Sequence, residues 1–228
     1  MNDAAAKYRS GTYTRGEDTR RRLVETAIEA FGTNGYDGTT TRMLAEHADV
    51  TLPSIQYYFG SKEGLYRAAI EHIIGEMEGR LEDVAARARA TLANSKATRQ
   101  ELLSCLCGLL DALSRLIVGG DGSRKRFISR AEIERSAALT PLHEQMRRHM
   151  IEPCTGLLAR LIRRRPDDAK VIVRTLAIIG QVSVFCHSGA RRILGVADLG
   201  ESQMAMIQDI VREHCKAIVD SAARESRR

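Results

Sequence analysis

Proline is nearly absent from this chain. It occurs four times in 228 residues, at positions 53, 141, 153 and 166. A proline inside a helix removes a backbone donor and clashes with the preceding turn, so long proline-free stretches favour helices. Apolar residues recur at helical spacing near 81–93, 98–118, 124–137, 141–164, 168–188 and 202–223, and no strand-like alternation separates them. The fold class this implies is all-α. At about 150 residues per domain, the length allows one or two domains.

Residues 1–17 lack periodicity and form an expected flexible tail carrying Lys7, Arg9 and Arg15. Two readings are open for it: a disordered terminus, or a basic arm that touches phosphates or a minor groove. A first helix is predicted from Asp18/Thr19, either of which can cap it, to Asn34. Leu23, Ala27, Ala30 and Phe31 share one face, with Val24 and Ile28 beside them. Gly35 suits the left-handed position that ends such a helix.

Residues 39–59 are the most informative. Thr39 or Thr40 can cap a short helix over about Thr41–Ala48, and Thr51 a second through Tyr58, with Pro53 in its tolerant first turn. Val50, Ile55 and Phe59 are expected to bury against the first helix. Two short helices joined by about three residues make a helix-turn-helix. A fourth helix starts at Ser61 and is predicted to reach about Gly79.

The run Gly35-Tyr36, Thr40-Thr41-Arg42, Leu44-Ala45, Ala48-Asp49-Val50-Thr51, Ile55 and Tyr57-Tyr58-Phe59-Gly60-Ser61-Lys62-Glu63-Gly64-Leu65 resembles the DNA-binding domain of the tetracycline-repressor (TetR) family. The resemblance covers about 19–66. It implies a DNA-binding domain over 18–65, an effector-binding and dimerisation domain over 66–223, and a short tail at 224–228.

A major groove about 12 Å wide admits one helix, and the second of the pair is the reader. Its outward positions are expected to be Leu52, Pro53, Ser54, Gln56 and Tyr57. Gln56 can make two hydrogen bonds to adenine, and Leu52 can meet a thymine methyl. By resemblance, Arg42 reaches a guanine edge or a phosphate, and Thr40, Thr41, Thr51 and Tyr58 join the DNA-facing set. A solvated arginine and a plain cap are the simpler readings of Arg42 and of one threonine. Lys62 opposes the dipole of its own helix, a conflict a bound phosphate would remove. Two positions depart from the family pattern. Asp49 stands where Gly is usual and tolerates the left-handed conformation. Gln56 stands where Tyr is usual, which implies altered sequence preference.

The chain carries net charge +6, but residues 1–62 hold eight Lys/Arg and eight Asp/Glu. Bulk charge therefore does not mark the DNA-binding face. Cysteines 105, 107, 154, 186 and 215 are odd in number and lie in helical segments, which suits reduced thiols. Cys105 and Cys107 point to opposite sides of a helix and cannot chelate one ion. A single reactive thiol at Cys154 or Cys186 stays open. No phosphate-binding glycine loop, nucleophile elbow or paired ligand spacing is present. The expectation is thus no enzyme, no catalytic residue, no metal and no cofactor. Residues 1–20 lack an apolar core, and Val171–Phe185 contains Arg174 and Gln181 and is too short for a bilayer. A cytoplasmic protein without a membrane partner is expected.

Phe127-Ile128-Ser129-Arg130-Ala131-Glu132, Pro141-Leu142-His143 and Gly180-Gln181-Val182-Ser183-Val184-Phe185 resemble, more loosely, the C-terminal domain of the YbiH/CecR branch. The resemblance implies a small-molecule effector site inside these helices. Phe127, Arg130, His143, Met146, Met150, Gln181, Phe185 and His187 are its candidate residues. Plain core packing for the two phenylalanines, a surface ion pair for Arg130 and structural roles for the histidines stay open. It also implies a homodimer through about 168–188 and 202–223, where burial within one chain is the alternative. The function expected is a repressor that binds a palindromic double-stranded operator and is released by its effector. An effector-dependent activator, or a helical module without specific DNA binding, is the alternative. Retained Arg42, Thr51, Tyr57 and Lys62 argue against the last.

Overall fold

A computed structural model describes residues 3–119, 121–186, 188–196 and 199–225, with side chains of 3–15, 186, 188 and 191 not described. His187, one predicted effector residue, lies outside the described residues, as do 226–228 of the predicted C-terminal tail. The basic side chains of the predicted N-terminal arm are likewise not described. Helices α1 (Asp3–Gly38), α2 (Thr41–His47), α3 (Leu52–Phe59), α4 (Lys62–Ala93), α5 (Arg99–Val118) and α6 (Gly122–Ile133) come first. Then follow α7 (Thr140–Met146), α8 (Glu152–Ile162), α9 (Ala169–Ser183), α10 (Ser188–Ile193) and α11 (Glu201–Glu225). No strand occurs among the described residues. No single helix there is long and apolar enough to cross a membrane.

The chain divides into two compact units. One joins Met1–Ile74 with Asp121–Leu142, and the other joins Gly75–Gly120 with His143–Arg228. Sequence reasoning drew its boundary at 65/66 and placed α6 with the C-terminal domain. The reason α6 belongs to the first unit is side-chain packing. Phe127 stacks on Phe31 at 5.9 Å and meets Tyr66 edge-on at 5.1 Å, while Tyr36 closes the group against Tyr66 at the same separation. Gly32 lets the α6 backbone approach α1, since a Cβ there would sit 3.0 Å from Phe127 N. Arg124 grips both oxygens of Glu25, at 2.9 and 3.1 Å.

The second unit buries Leu106, Leu109, Leu110 and Leu113 of α5, Leu157, Leu158 and Ile162 of α8, Val171, Ile178 and Val182 of α9, and Val211, Cys215 and Val219 of α11. Thr98 begins α5 with a reciprocal capping box to Glu101.

Three boundaries differ from expectation. The α1 backbone is helical back to Asp3, where a non-periodic tail to residue 17 was expected; Ala4–Ala6 and the lack of proline favour this. α4 does not end at Gly79, because nothing crowds that position and its backbone needs no special conformation. The predicted 141–164 helix is interrupted by a π-turn at Arg147–Ile151, immediately before Pro153. Proline has no N–H to donate to the carbonyl four residues back, and a widened turn accommodates it.

Candidate nucleic-acid interface

The helix-turn-helix is set by local backbone chemistry. Thr40 caps α2, its hydroxyl accepting from Met43 N at 3.2 Å. Thr39, the other candidate cap, is instead fully buried and donates to Ala30 O and Gly35 O, at 3.2 and 2.8 Å. It ties the end of α1 to the start of α2. Asp49 takes the left-handed turn at φ 50, as its short polar side chain permits. Gly35 and Gly60 also take positive φ, and Gly60 ends α3. Thr51 occupies the N-cap of α3 without a side-chain cap bond; its hydroxyl lies 3.0 Å from Ser54 Oγ.

This frame turns α3 so that Ile55 is buried and the opposite side is open. Tyr57 is 82 % exposed and Leu52 52 %. Thr51, Pro53 and Gln56 are exposed beside them, with Ser54 half-buried. Tyr58 is less available than expected. Its ring meets Tyr57 edge-on at 4.9 Å, and a Cβ on Gly16 would lie 3.5 Å from its hydroxyl. Tyr58 therefore packs α3 along α1 while Tyr57 points outward. Phe59 is half-buried with the Arg20 guanidinium 5.4 Å over its ring.

On α2, Thr40 is exposed and Thr41 half-buried, and the Arg42 side chain is 85 % exposed. Its Nε donates to Glu46 Oε1 at 2.8 Å, and that hydrogen bond raises the Arg42 pKa. Sequence reasoning missed Glu46 as a partner, although the spacing of four residues on a helix signals one.

Lys62 resolves its conflict with the α4 dipole within the chain. Its Nζ donates to Tyr36 O at 2.9 Å and Thr39 O at 3.0 Å and lies 4.2 Å over the Tyr36 ring. Carbonyls at a helix end carry partial negative charge, so the α1 terminus supplies what a phosphate was expected to supply. One of three ammonium protons is left over. Gly64, in the same turn, was not singled out as a site. A Cβ there would fall 2.0 Å from Phe59 O, so the α3–α4 junction admits only glycine.

The predicted effector residues do not share one environment. Phe127 is buried in the aromatic group of the first unit. Arg130 pairs with Glu134 at 3.4 Å in that unit, close over Gly35. In the second unit Met150 is buried, Met146 and Phe185 pack half-buried against the core, and His143 is exposed. Gln181 Oε1 is 2.9 Å from His214 Nδ1. None of the seven described ones lines either of two cavities in the second unit, of about 840 and 400 Å³, which lie along α5.

Residues 23–69 match the profile "Bacterial regulatory proteins, tetR family". Residues 104–221 match "HTH-type transcriptional dual regulator CecR, C-terminal domain". The chain is 29 % identical over 218 residues to CecR of Shigella flexneri, covering 93 % of this chain and 96 % of that one. Its fold resembles a transcriptional regulator from Rhodococcus sp. RHA1, with TM-score 0.59 and 13 % identity over 86 % of this chain and 95 % of that one. It also resembles FadR of Bacillus subtilis in complex with stearoyl-CoA, with TM-score 0.57 and 17 % identity over 86 % and 96 %. Over more than half its length the chain fits a CecR-type C-terminal domain behind a TetR-type helix-turn-helix, and it belongs to the TetR family of DNA-binding transcriptional regulators.

Proposed function

We propose that the chain acts as a homodimeric repressor, reading a palindromic double-stranded operator with α3 and released by a small-molecule effector. The observation that carries this is the two-sidedness of α3. Ile55 is locked into the core, whereas Leu52, Gln56 and Tyr57 face outward. Gln56 offers bidentate bonding to adenine, Leu52 apolar contact to a thymine methyl, and Tyr57 a hydroxyl for phosphate. Thr40, Arg42 and Thr51 flank them, and Lys62 acts mainly by holding the α1 end in place.

Dimerisation through α9 and α11 is supported by exposed apolar side chains on both: Ile172, Val173 and Leu176, and Met206 and Ile210. Such residues are uncommon on a solvated helix face and suit a self-complementary two-fold interface. A ligand-bound neighbour of the same fold, FadR with stearoyl-CoA, supports an effector role for the second unit. Met146, Met150, Gln181 and Phe185 are the candidates there. The relative of Shigella flexneri is named a dual regulator, which favours a second reading: activation at some sites and repression at others.

The deciding experiment is recovery of fragmented genomic DNA by the purified protein at one fixed salt concentration, read by sequencing. Salt is fixed because phosphate contacts make affinity depend steeply on it. The expected result is a palindromic consensus with two half-sites. Uniform recovery of all fragments would overturn the reading.

A further inference from the structure

We propose that Cys107 and Cys215 form a reactive dithiol that takes a small two-electron thiol oxidant of the peroxide class and closes into a disulfide joining α5 to α11. The two helices run antiparallel and are pinned in register. At one end Arg99 pairs with Asp220. At the other, Arg212 holds Asp111 at 3.0 Å, and Gln208 Nε2 donates to Asp111 O at 3.2 Å. Between these two anchors the side chains of Cys107 and Cys215 meet and hydrogen-bond to each other. The α5 face here is lined by small groups, Ser104 and Gly108, and a Cβ on Gly108 would meet nothing within 4 Å, so the cavity is open beside Cys107.

Access is one-sided. Cys215 is 0 % exposed within the core. Cys107 is 8 % exposed and forms part of the wall of the cavity of about 840 Å³, together with Arg99, Arg212 and Lys216. The hydrogen bond with Cys215 lowers the Cys107 pKa, and Lys216 and Arg212 act in the same sense against burial and Asp111. The same hydrogen bond and burial push Cys215 upward. The pair thus has one sulfur at a cavity wall that carries Arg99, Arg212 and Lys216 and one buried behind it. Cys154 is unlike both: burial pushes it up to about 12. Cys105 is half-buried and bonded to Thr91 Oγ1 at 3.2 Å.

The chemistry balances in two steps. The Cys107 thiolate attacks a peroxide oxygen, forming an S–O bond and breaking O–O, and leaves a sulfenic acid and a hydroxide that takes a proton from solvent. The Cys215 sulfur then attacks the Cys107 sulfur, forming S–S and breaking S–O, and its proton departs with the leaving hydroxide as water. Two thiols are oxidised and one peroxide is reduced.

The test uses the full chain, reduced and then exposed to hydrogen peroxide, alkylated, digested and mapped by mass spectrometry. A linked peptide is expected within one chain, with fragment ions placing the bond at Cys107 rather than Cys105, and it is lost again with dithiothreitol. C107S is expected to slow loss of the remaining Cys215 thiol on the order of tenfold or more relative to the parent chain. C215S is expected to stop at a sulfenic acid on Cys107, trapped by dimedone. Melting curves of the reduced variants verify folding, and the map of the parent chain stands without them. A link involving another cysteine, a link between chains, or thiol loss at an unchanged rate in folded C107S would each overturn the assignment.

Discussion

A methyl group on Gly64 would lie 2.0 Å from the Phe59 carbonyl oxygen, well inside contact distance and against backbone that cannot swing away. Gly64→Ala is therefore expected to lower stability by about 1–3 kcal/mol, read as a fall in urea midpoint without change in slope. Because the shift falls at the end of α3, operator affinity should fall with it. Gln56 tests the opposite kind of residue, one that supports nothing in the fold. Gln56→Ala should leave the melting temperature unchanged and cost about 1–3 kcal/mol on the cognate operator, with relaxed preference at one base pair. Equal loss on every sequence would exclude base reading. The contrast shows what a sequence makes legible. Asp49 was readable because its left-handed turn depends on its own backbone. Lys62 was not, because its partners, Tyr36 O and Thr39 O, lie 26 and 23 residues away. Nothing within one helix turn of Lys62 announces two distant carbonyls.

At the scale of elements, periodicity found the helices and misplaced their joints. A glycine in a helical pattern predicts an end near Gly79, yet a glycine stops a helix only when the chain must turn there. Pro153 did act, and the turn before it widened instead of breaking. Beside that turn, Arg147 and Arg148 both donate to Glu144, at 2.7 Å each, and hold its carboxyl down to about 2 from an ordinary 4.5. A carboxylate lowered in the folded state contributes stability above its unfolded value and loses it as pH falls towards the folded one. The melting temperature should therefore gain an acid-sensitive component between about pH 4.5 and 2, and Glu144→Gln should remove it. An identical acid profile in both proteins would mean the pair is solvated away. The exposed face of α9 and α11 carries a second element-level expectation. Burying a Leu or Ile side chain is worth about 1.5–3 kcal/mol, and a buried unpaired charge adds a penalty. Leu176→Arg with Ile210→Arg should shift sedimentation from dimer to monomer at micromolar concentration. A persistent dimer would move the interface elsewhere.

At the scale of the whole molecule, a helix-turn-helix followed by a larger helical domain was legible from one dense motif, whereas the allegiance of α6 was not. Its tie to α1 rests on Phe127 meeting Phe31 and Tyr66, and on Arg124 meeting Glu25, partners separated by 96, 61 and 99 residues along the chain. The charge plan leads to the final expectation. The net +6 is carried beyond residue 62, since the first 62 residues balance. On the reading face Glu46 holds Arg42 Nε, which leaves the remaining guanidinium donors directed outward for a phosphate. Each phosphate neutralised contributes about 0.9 to the slope of log affinity against log salt, so a dimer with one Arg42 contact per half-site owes it about 1.8. Arg42→Ala is expected to weaken binding evenly across operator variants and to reduce the slope by that amount, measured by fluorescence anisotropy over a salt series. Glu46→Gln, which frees the same guanidinium, should tighten binding at every salt. Were Arg42→Ala to leave the slope intact while changing preference at one base pair, Arg42 would be touching a guanine edge, and the phosphate grip would have to come from side chains other than those of α2.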